Sequence, residues 1–217
     1  MKVDEAVKCI EFSEEFTLDK AALSNIETVE IDSEEELRAI SAALFKNFWG
    51  LPKMQRQEEW AQFVLDAIET RKDSDAFLQH FLQCIKEKWA HIDIRLKDKF
   101  VLLVQRIANK IIQNSEVSIE QFISKGPEAA YDLPLMHAYI DSKTALSNED
   151  CVYLLEYLIA HADTYFTNFF ISKILPKFEE AGIPKPLAKR AYAEGNKEEV
   201  SPKMRELLYS IYSCRVN

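Results

Sequence analysis

The sequence is poor in glycine and has no long apolar run. Only 4 of its 217 residues are glycine and 7 are proline, which disfavours a β-sandwich or any architecture that depends on many tight turns. No stretch approaches the roughly 18 apolar residues of a membrane span. The opening "MKVDEAVKCIEF" lacks the basic-then-apolar order of a secretory signal. The phosphate-binding and catalytic signatures GxGxxG, Walker A, GxSxG and HExxH are also missing. None of the 4 histidines precedes an aspartate, so the central dipeptide of a His-Asp metal phosphohydrolase is absent. Cys9, Cys84, Cys151 and Cys214 stand apart with no CxxC pair. That usage fits a reducing compartment in which thiols fill apolar space.

What chemistry remains is scattered. His80 and Cys84 are spaced to share a helix face, but a metal needs three or four ligands and nothing nearby supplies the others. His161 and Asp163 are two residues apart at the end of a predicted helix, so their side chains point in different directions. His137, beside Met136 and Tyr139, reads as a partly buried helix residue rather than a base. Glu58–Glu59 and Glu179–Glu180 read as solvated faces. The expectation is a non-enzymatic protein with no metal, no cofactor, no small-molecule substrate and no membrane partner.

What is present is a globular balance of 47% hydrophobic and 29% charged residues. The net charge of −9 lies entirely in residues 1–37, which hold 12 acidic and 3 basic side chains; residues 38–217 hold 24 of each sign. This charge break predicts an acidic N-terminal segment over 1–32, either mobile or docked, and a single domain over 33–217.

That domain reads as consecutive amphipathic helices. Ser33 and Glu36 have capping-box spacing ahead of the apolar face Leu37, Ile40, Leu44 and Phe48, and Gly50 and Pro52 end it. A second helix carries Trp60, Phe63, Val64 and Ile68. A third, capped by Asp73 or Ser74, carries Phe77, Leu78, Phe81, Leu82, Ile85 and Trp89. The next stretch is ambiguous. Ile92, Ile94 and Leu96 alternate with charged residues as in a strand, while Ile92, Leu96, Phe100, Leu103 and Ile107 keep helical spacing. The alternation stops at Lys97 and the helical spacing continues to Ile112, so the pattern predicts a helix over about 93–113.

Farther on, Ser118 with Gln121 and Ser147 with Asp150 offer caps, and Gly126–Pro127 marks a loop. Asp132 and Pro134 start a helix running through Tyr139. Pro176 should kink or split the apolar run 163–182, and Ser201 caps a last helix with Pro202 in its first turn. The fold class is therefore all-α, with antiparallel helix pairs stacked as a HEAT-like or irregular α-solenoid.

Basic residues are the most suggestive feature. Between Lys86 and Lys110 there are 7 basic residues against 3 acids. Lys88, Arg95, Lys99, Arg106 and Lys110 recur mostly at three, four or seven, so several share one side of the predicted helix, and Lys97 lies close by. A second group is Lys185, Lys189 and Arg190, followed by Lys197. Such groups can bind RNA phosphate or an acidic partner, or they can simply solubilise a helix face and pair with acids at i+4. Trp89 and Phe100 fall on the apolar side, where core packing is the simpler use.

Around these residues the sequence resembles the nucleolar ribosomal RNA-processing protein 1 family. "ALFKNFW", Ala43 to Trp49, is similar to that family's Gly-Leu-Phe-x-x-Met-Trp, and Pro52 and Gln55 to its Pro-x-x-Gln. Phe77, Leu78, Phe81, Trp89, Ile92 and Asp93 match its Phe-Leu-x-x-Phe … Trp-x-x-Ile-Asp run. Asp98, Lys99 and Phe100 match its Asp-Lys-Phe, and Arg106 a later basic position. Lys97 is an insertion relative to that pattern. The likeness covers residues 37–112 and is looser at "LPLMHAYIDSK" and "ISKILPKFE". It implies a nuclear, nucleolar, non-catalytic scaffold in precursors of the large ribosomal subunit, needed for ribosomal RNA processing. Its partners would be other large-subunit assembly factors, with precursor RNA touched directly or through protein. The implied contacts are Lys97, Lys99, Arg106, Lys110, Lys185, Lys189 and Arg190. The competing reading is a cytoplasmic helical adaptor that binds a protein and never meets ribosomal RNA.

Overall fold

The structure, a computed structural model, describes residues 1–11, 18–52, 54–123, 129–161 and 164–216. The Gly126–Pro127 loop and Asp163 lie outside the described residues. The described chain is all-α, as the periodicity predicts, and stacks its helices in pairs as a solenoid-like fold does. Its only β-type pairing among the described residues is an isolated parallel bridge between Ile183 and Val216. The chain divides into two compact units, residues 1–116 and 117–217, where the charge pattern suggested one domain over 33–217. No glycine, proline or charge break occurs near residue 116 to signal that division.

Unit 1 contains α1 (Val3–Glu11), the short α2 (Lys20–Leu23) and α3 (Asn25–Thr28), α4 (Glu34–Trp49), α5 (Met54–Glu69), α6 (Ser74–Lys88) and α7 (Lys97–Asn114). The predicted capping box at the start of α4 forms. The Glu36 amide donates to Ser33 Oγ and the Ser33 amide to the Glu36 carboxylate, both at 3.2 Å, which satisfies helix-start amides that have no partner within the helix.

The acidic N-terminal segment is separable in charge but not in packing. Val3, Ala6, Ile10, Leu23, Ile26 and Val29 are all buried, while Asp4, Glu5, Glu11, Glu27, Glu30 and Asp32 are exposed. Two polar anchors hold the segment down. Arg71, whose side chain is only 7% exposed, donates to the carbonyls of Ile26 at 2.6 Å and Val29 at 2.9 Å and pairs with Asp73 at 2.7 Å. Asn47 donates to the Ile10 carbonyl at 2.8 Å and accepts from Trp60 Nε1 at 2.7 Å, tying α1 to α4 and α5.

The ambiguous stretch resolves into neither of its two simple readings. α6 ends at Lys88, two 3₁₀ turns follow at Trp89–His91 and Ile94–Leu96, and α7 begins at Lys97, four residues later than expected. Asp93 explains the delay. Its backbone is extended, and its carboxylate takes the Arg95 amide at 2.9 Å and the Arg95 guanidinium at 2.8 Å. Such local side-chain bonds compete with an α-helical start. The apparent strand alternation therefore mixes unlike sites, with Ile92 buried and Ile94 76% exposed.

Unit 2 contains α8 (Ile119–Phe122), α9 (Ala129–Ser142), α10 (Asn148–Ala160), α11 (Thr164–Phe169), α12 (Leu175–Ala181), α13 (Lys185–Gly195) and α14 (Pro202–Ser213). The caps at Ser118, Ser147 and Ser201 all form. Pro134 lies in the second turn of α9 rather than its first. There it removes the amide that would bond the carbonyl four residues back, at a cost to the first turns of the helix. Pro176 interrupts the α-helical register of its run without ending it. α11 runs through a π-helical turn, Phe170–Ile174, directly into α12, whose second residue is Pro176, and the wider turn accommodates the proline.

Tyrosines bridge the helices of unit 2. Tyr139 donates to Asp150 Oδ1 and Tyr157 to Asp132 Oδ2, each at 2.9 Å, and Tyr153 donates to the Ile123 carbonyl at 2.6 Å. Asp132 and Asp150 are almost wholly buried, and a buried carboxylate is tolerated only with such donors. Burial and the Asp150 bond raise the Tyr139 hydroxyl well above its usual range, and burial pushes Tyr153 up to about 12. Both hydroxyls therefore remain donors at neutral pH.

Candidate functional site

The basic side chains of α7 face inward onto their own unit. Lys99 lies at i, with Arg106 at i+7 and Lys110 at i+11, so one flank of the helix carries all three, and that flank meets α5 and the end of α4. Lys99 is buried, 8% exposed. Its ammonium donates to the carbonyls of Phe48 at 3.1 Å, Trp49 at 2.5 Å and Leu51 at 3.3 Å. These carbonyls close α4, so Lys99 satisfies acceptors that have no partner within the helix and sets a positive charge at the negative end of its dipole. Its Nζ also lies 5.5 Å from the Phe48 ring centre and 5.7 Å from that of Phe100. Burial lowers its pKa to about 8. Lys99 was expected to contact RNA or a partner at the surface. The structure corrects this, because all three of its donor directions are taken by backbone inside unit 1.

Arg106 and Lys110 form looser links in the same seam. Arg106 reaches Gln62 at 3.5 Å, the limit of a hydrogen bond. Lys110 pairs with Glu69 at 2.6 Å and lies 3.7 Å from Asp66, and the Glu69 bond raises its pKa. The reading in which basic residues pair with acids thus describes α7, but the acids sit on α5 rather than at i+4. Lys97 lies apart from this flank, half-buried over the Trp89 ring with Nζ 5.5 Å from its centre.

The residues that carry the family resemblance come together here. Phe100 stacks on Phe45 at 5.0 Å and meets Phe48 at 5.2 Å and Trp49 at 5.8 Å, while Phe48 packs on Trp60 at 5.0 Å. "ALFKNFW" and "DKF" are therefore two halves of one joint. The lysine of one caps the helix of the other, and the phenyl ring beside that lysine fills the space between the aromatic residues. A cavity of about 490 Å³ opens beside this joint, walled by Trp49, Leu51, Met54, Leu96 and Leu102 with Lys99 at its edge. Gln57, Arg95 and Asp98 add polar groups to its lining.

In unit 2 the basic group separates. Arg190 pairs with Glu156 of α10 at 2.9 Å, and Lys197 with Glu194 at 2.6 Å. Lys185 and Lys189 lie on a different side of α13, are exposed, and make no ion pair among the described residues. Sequence reasoning missed what lies beside them. Tyr192, one turn after Lys189, is 48% exposed and packs against Tyr212 of α14 at 4.9 Å and Tyr209 at 5.9 Å, and Tyr212 is 47% exposed. The signal was available in the pair Tyr209 and Tyr212, three apart and off the Leu207–Leu208–Ile211 face.

The histidines take up packing positions. His137 stacks against Phe169 at 4.2 Å and burial lowers its pKa, and His161 ends α10 with its ring 4.4 Å from Tyr157. Among the described residues no three His, Cys, Asp or Glu side chains are grouped to hold a metal. His80 lies 3.6 Å from Glu34 instead. No helix of the described residues is long and apolar enough to cross a membrane.

Residues 18–122 match the family model described as nucleolar protein Nop52. No curated protein matches the chain, and no solved structure does. Over just under half its length, then, the chain is similar to a nucleolar protein family, a likeness to the family at large rather than to one member. The match begins inside the acidic segment, at α2, and ends in α8. It therefore takes in the whole α4–α7 joint and leaves most of unit 2 outside.

Proposed function

We propose that this protein is a non-catalytic assembly factor of the large ribosomal subunit. It acts in the nucleolus as a helical scaffold within precursor particles and is required for processing of their RNA. The observation that carries the reading is the nucleolar family match over 18–122, whose span contains the aromatic joint and its lysine cap. In this view the cations of α7 in unit 1 are engaged internally, so that helix meets partners mainly through shape and apolar surface. The protein's partners are other large-subunit assembly factors, and contact with precursor RNA falls to cations that remain unpaired.

The test is to tag the full chain and fractionate cells on a gradient. The expected result is co-sedimentation with large-subunit precursors, nucleolar localisation, and accumulation of unprocessed precursor RNA when the protein is depleted. A tagged protein found in the cytoplasm with a protein ligand and no precursor RNA would overturn the proposal in favour of the adaptor reading.

A further inference from the structure

We infer that the outer face of α13 and α14 in unit 2 binds single-stranded RNA. Tyr192 and Tyr212 form the stacking platform, and Lys185, Lys189 and Arg215 supply the phosphate contacts.

The platform is built rather than incidental. Tyr192 lies between Tyr212 at 4.9 Å and Tyr209 at 5.9 Å. Tyr209 is fixed from behind by its hydroxyl, which donates to Asn196 Oδ1 at 3.0 Å, and the Asn196 amide in turn donates to the Tyr192 carbonyl at 2.9 Å. Gly195 makes room for it. A Cβ at that position would lie 2.8 Å from the Tyr209 ring. Two large rings thus stay about half exposed, although deeper burial would stabilise them. Exposed rings in fixed positions are what base stacking requires, and stacking accepts any base because each has a π-face.

The cations sit along one edge of the platform. Lys185, Lys189 and Tyr192 are spaced i, i+4 and i+7, which places them on one flank of α13, while Arg190 turns to the other flank and pairs with Glu156. The bridge between Ile183 and Val216, with the Ile183 amide donating to the Arg215 carbonyl at 2.8 Å, brings Arg215 beside the start of α13. Arg215 is also one turn beyond Tyr212. Lys185, Lys189 and Arg215 are all exposed, and none forms an ion pair among the described residues. Acids border the platform on one side only. Glu194 holds Lys197, and Glu198 and Glu199 lie in the loop at the far end of α13, while Glu179 and Glu206 share a hollow with Tyr209 and Cys214. Unit 2 as a whole has 11 basic and 14 acidic residues, so this positive edge is local.

A protein ligand would also tolerate tyrosine and lysine. Unpaired cations in a row beside exposed π-faces match the alternation of phosphate and base more closely, and they favour the nucleic acid. The choice of RNA over other single strands rests on the nucleolar scaffold reading, whereas the platform does not.

The experiment uses the full chain, a short fluorescein-labelled oligouridylate and a duplex RNA of equal length, read by fluorescence polarisation at several salt concentrations. The single strand is expected to bind more tightly than the duplex. Tyr192→Leu with Tyr212→Leu should weaken binding about tenfold, whereas Tyr192→Phe with Tyr212→Phe should retain it, with circular dichroism unchanged in both. Lys185→Gln with Lys189→Gln should flatten the log–log salt slope by about 1.4. Equal binding of the duplex, wild-type binding by the Leu pair, or no binding at all would each overturn the site. Loss of precursor association in the Leu pair without any oligouridylate binding would overturn it in favour of a protein ligand. The scaffold reading is tested separately: a wild-type chain that binds the oligonucleotide but never sediments with precursors would sink that reading and leave the site standing.

Discussion

The two units divide the aromatic residues between them. All 3 tryptophans lie in unit 1 and all 8 tyrosines in unit 2. Unit 1 closes over a cluster of Phe and Trp rings, with Lys99 buried against it among backbone carbonyls and Lys88 and Lys97 lying over the Phe45 and Trp89 rings. Unit 2 threads hydroxyls through its core onto Asp132 and Asp150 and leaves Tyr165, Tyr192 and Tyr212 facing outward. The cations follow the same division. On α7 they face a neighbouring helix that supplies partners, whereas on α13 Lys185 and Lys189 face no neighbour. Equal spacing on a helix thus gives opposite outcomes, depending on which helix covers the face.

Four changes sharpen that contrast. Phe100 is fully buried among three aromatic neighbours, so Phe100→Ala should cost about 3–5 kcal/mol. Because every tryptophan is in unit 1, the loss appears as an earlier transition in tryptophan fluorescence. Lys99→Glu removes three donors and turns a carboxylate toward backbone oxygens. It should cost at least about 3 kcal/mol, read in the same signal.

Gly195→Ala tests unit 2. Helix propensity favours alanine by about 1 kcal/mol, but the 2.8 Å approach to Tyr209 should reverse the sign and destabilise by about 1–2 kcal/mol. A thermal melt followed by tyrosine near-ultraviolet circular dichroism would show a lower midpoint. Lys110→Gln removes a partly exposed pair with Glu69 and should change stability by less than about 1 kcal/mol in urea titrations.

The pH dependence carries a sign. Lys99 loses its proton near pH 8 in the folded protein, against about 10.4 when unfolded. Between those values unfolding takes up a proton, so the penalty for burying the charge is relieved as pH rises through that window. Wild-type stability should increase relative to Lys99→Met from pH 8 to pH 10. A flat difference would mean that the three carbonyls hold the proton on the amine.

Much of this was legible in the sequence. The capping boxes at Ser33, Ser118 and Ser147 and the cap at Ser201 were read correctly, because a cap is a local bargain among four residues. Pro176 breaks the α-helical register of its run for an equally local reason. The start of α7 was misread because Ile92, Ile94 and Leu96 satisfy two periods at once, and Asp93, which decides between them, carries no hydrophobic signal. Lys99 was misread because nothing local distinguishes an inward lysine from an outward one; its acceptors lie about fifty residues upstream. The tyrosine platform needs α13 and α14 laid side by side, which no single-helix pattern contains.

The central claim is that the cations of α7 are structural and those of α13 are free for a ligand. Its most direct test is a pair of urea titrations, Lys99→Gln followed by tryptophan fluorescence and Lys189→Gln followed by tyrosine circular dichroism. The expected result is a loss of about 1–3 kcal/mol for the first and a change within about 0.5 kcal/mol for the second. A silent Lys99→Gln, or a Lys189→Gln that costs as much, would contradict the account.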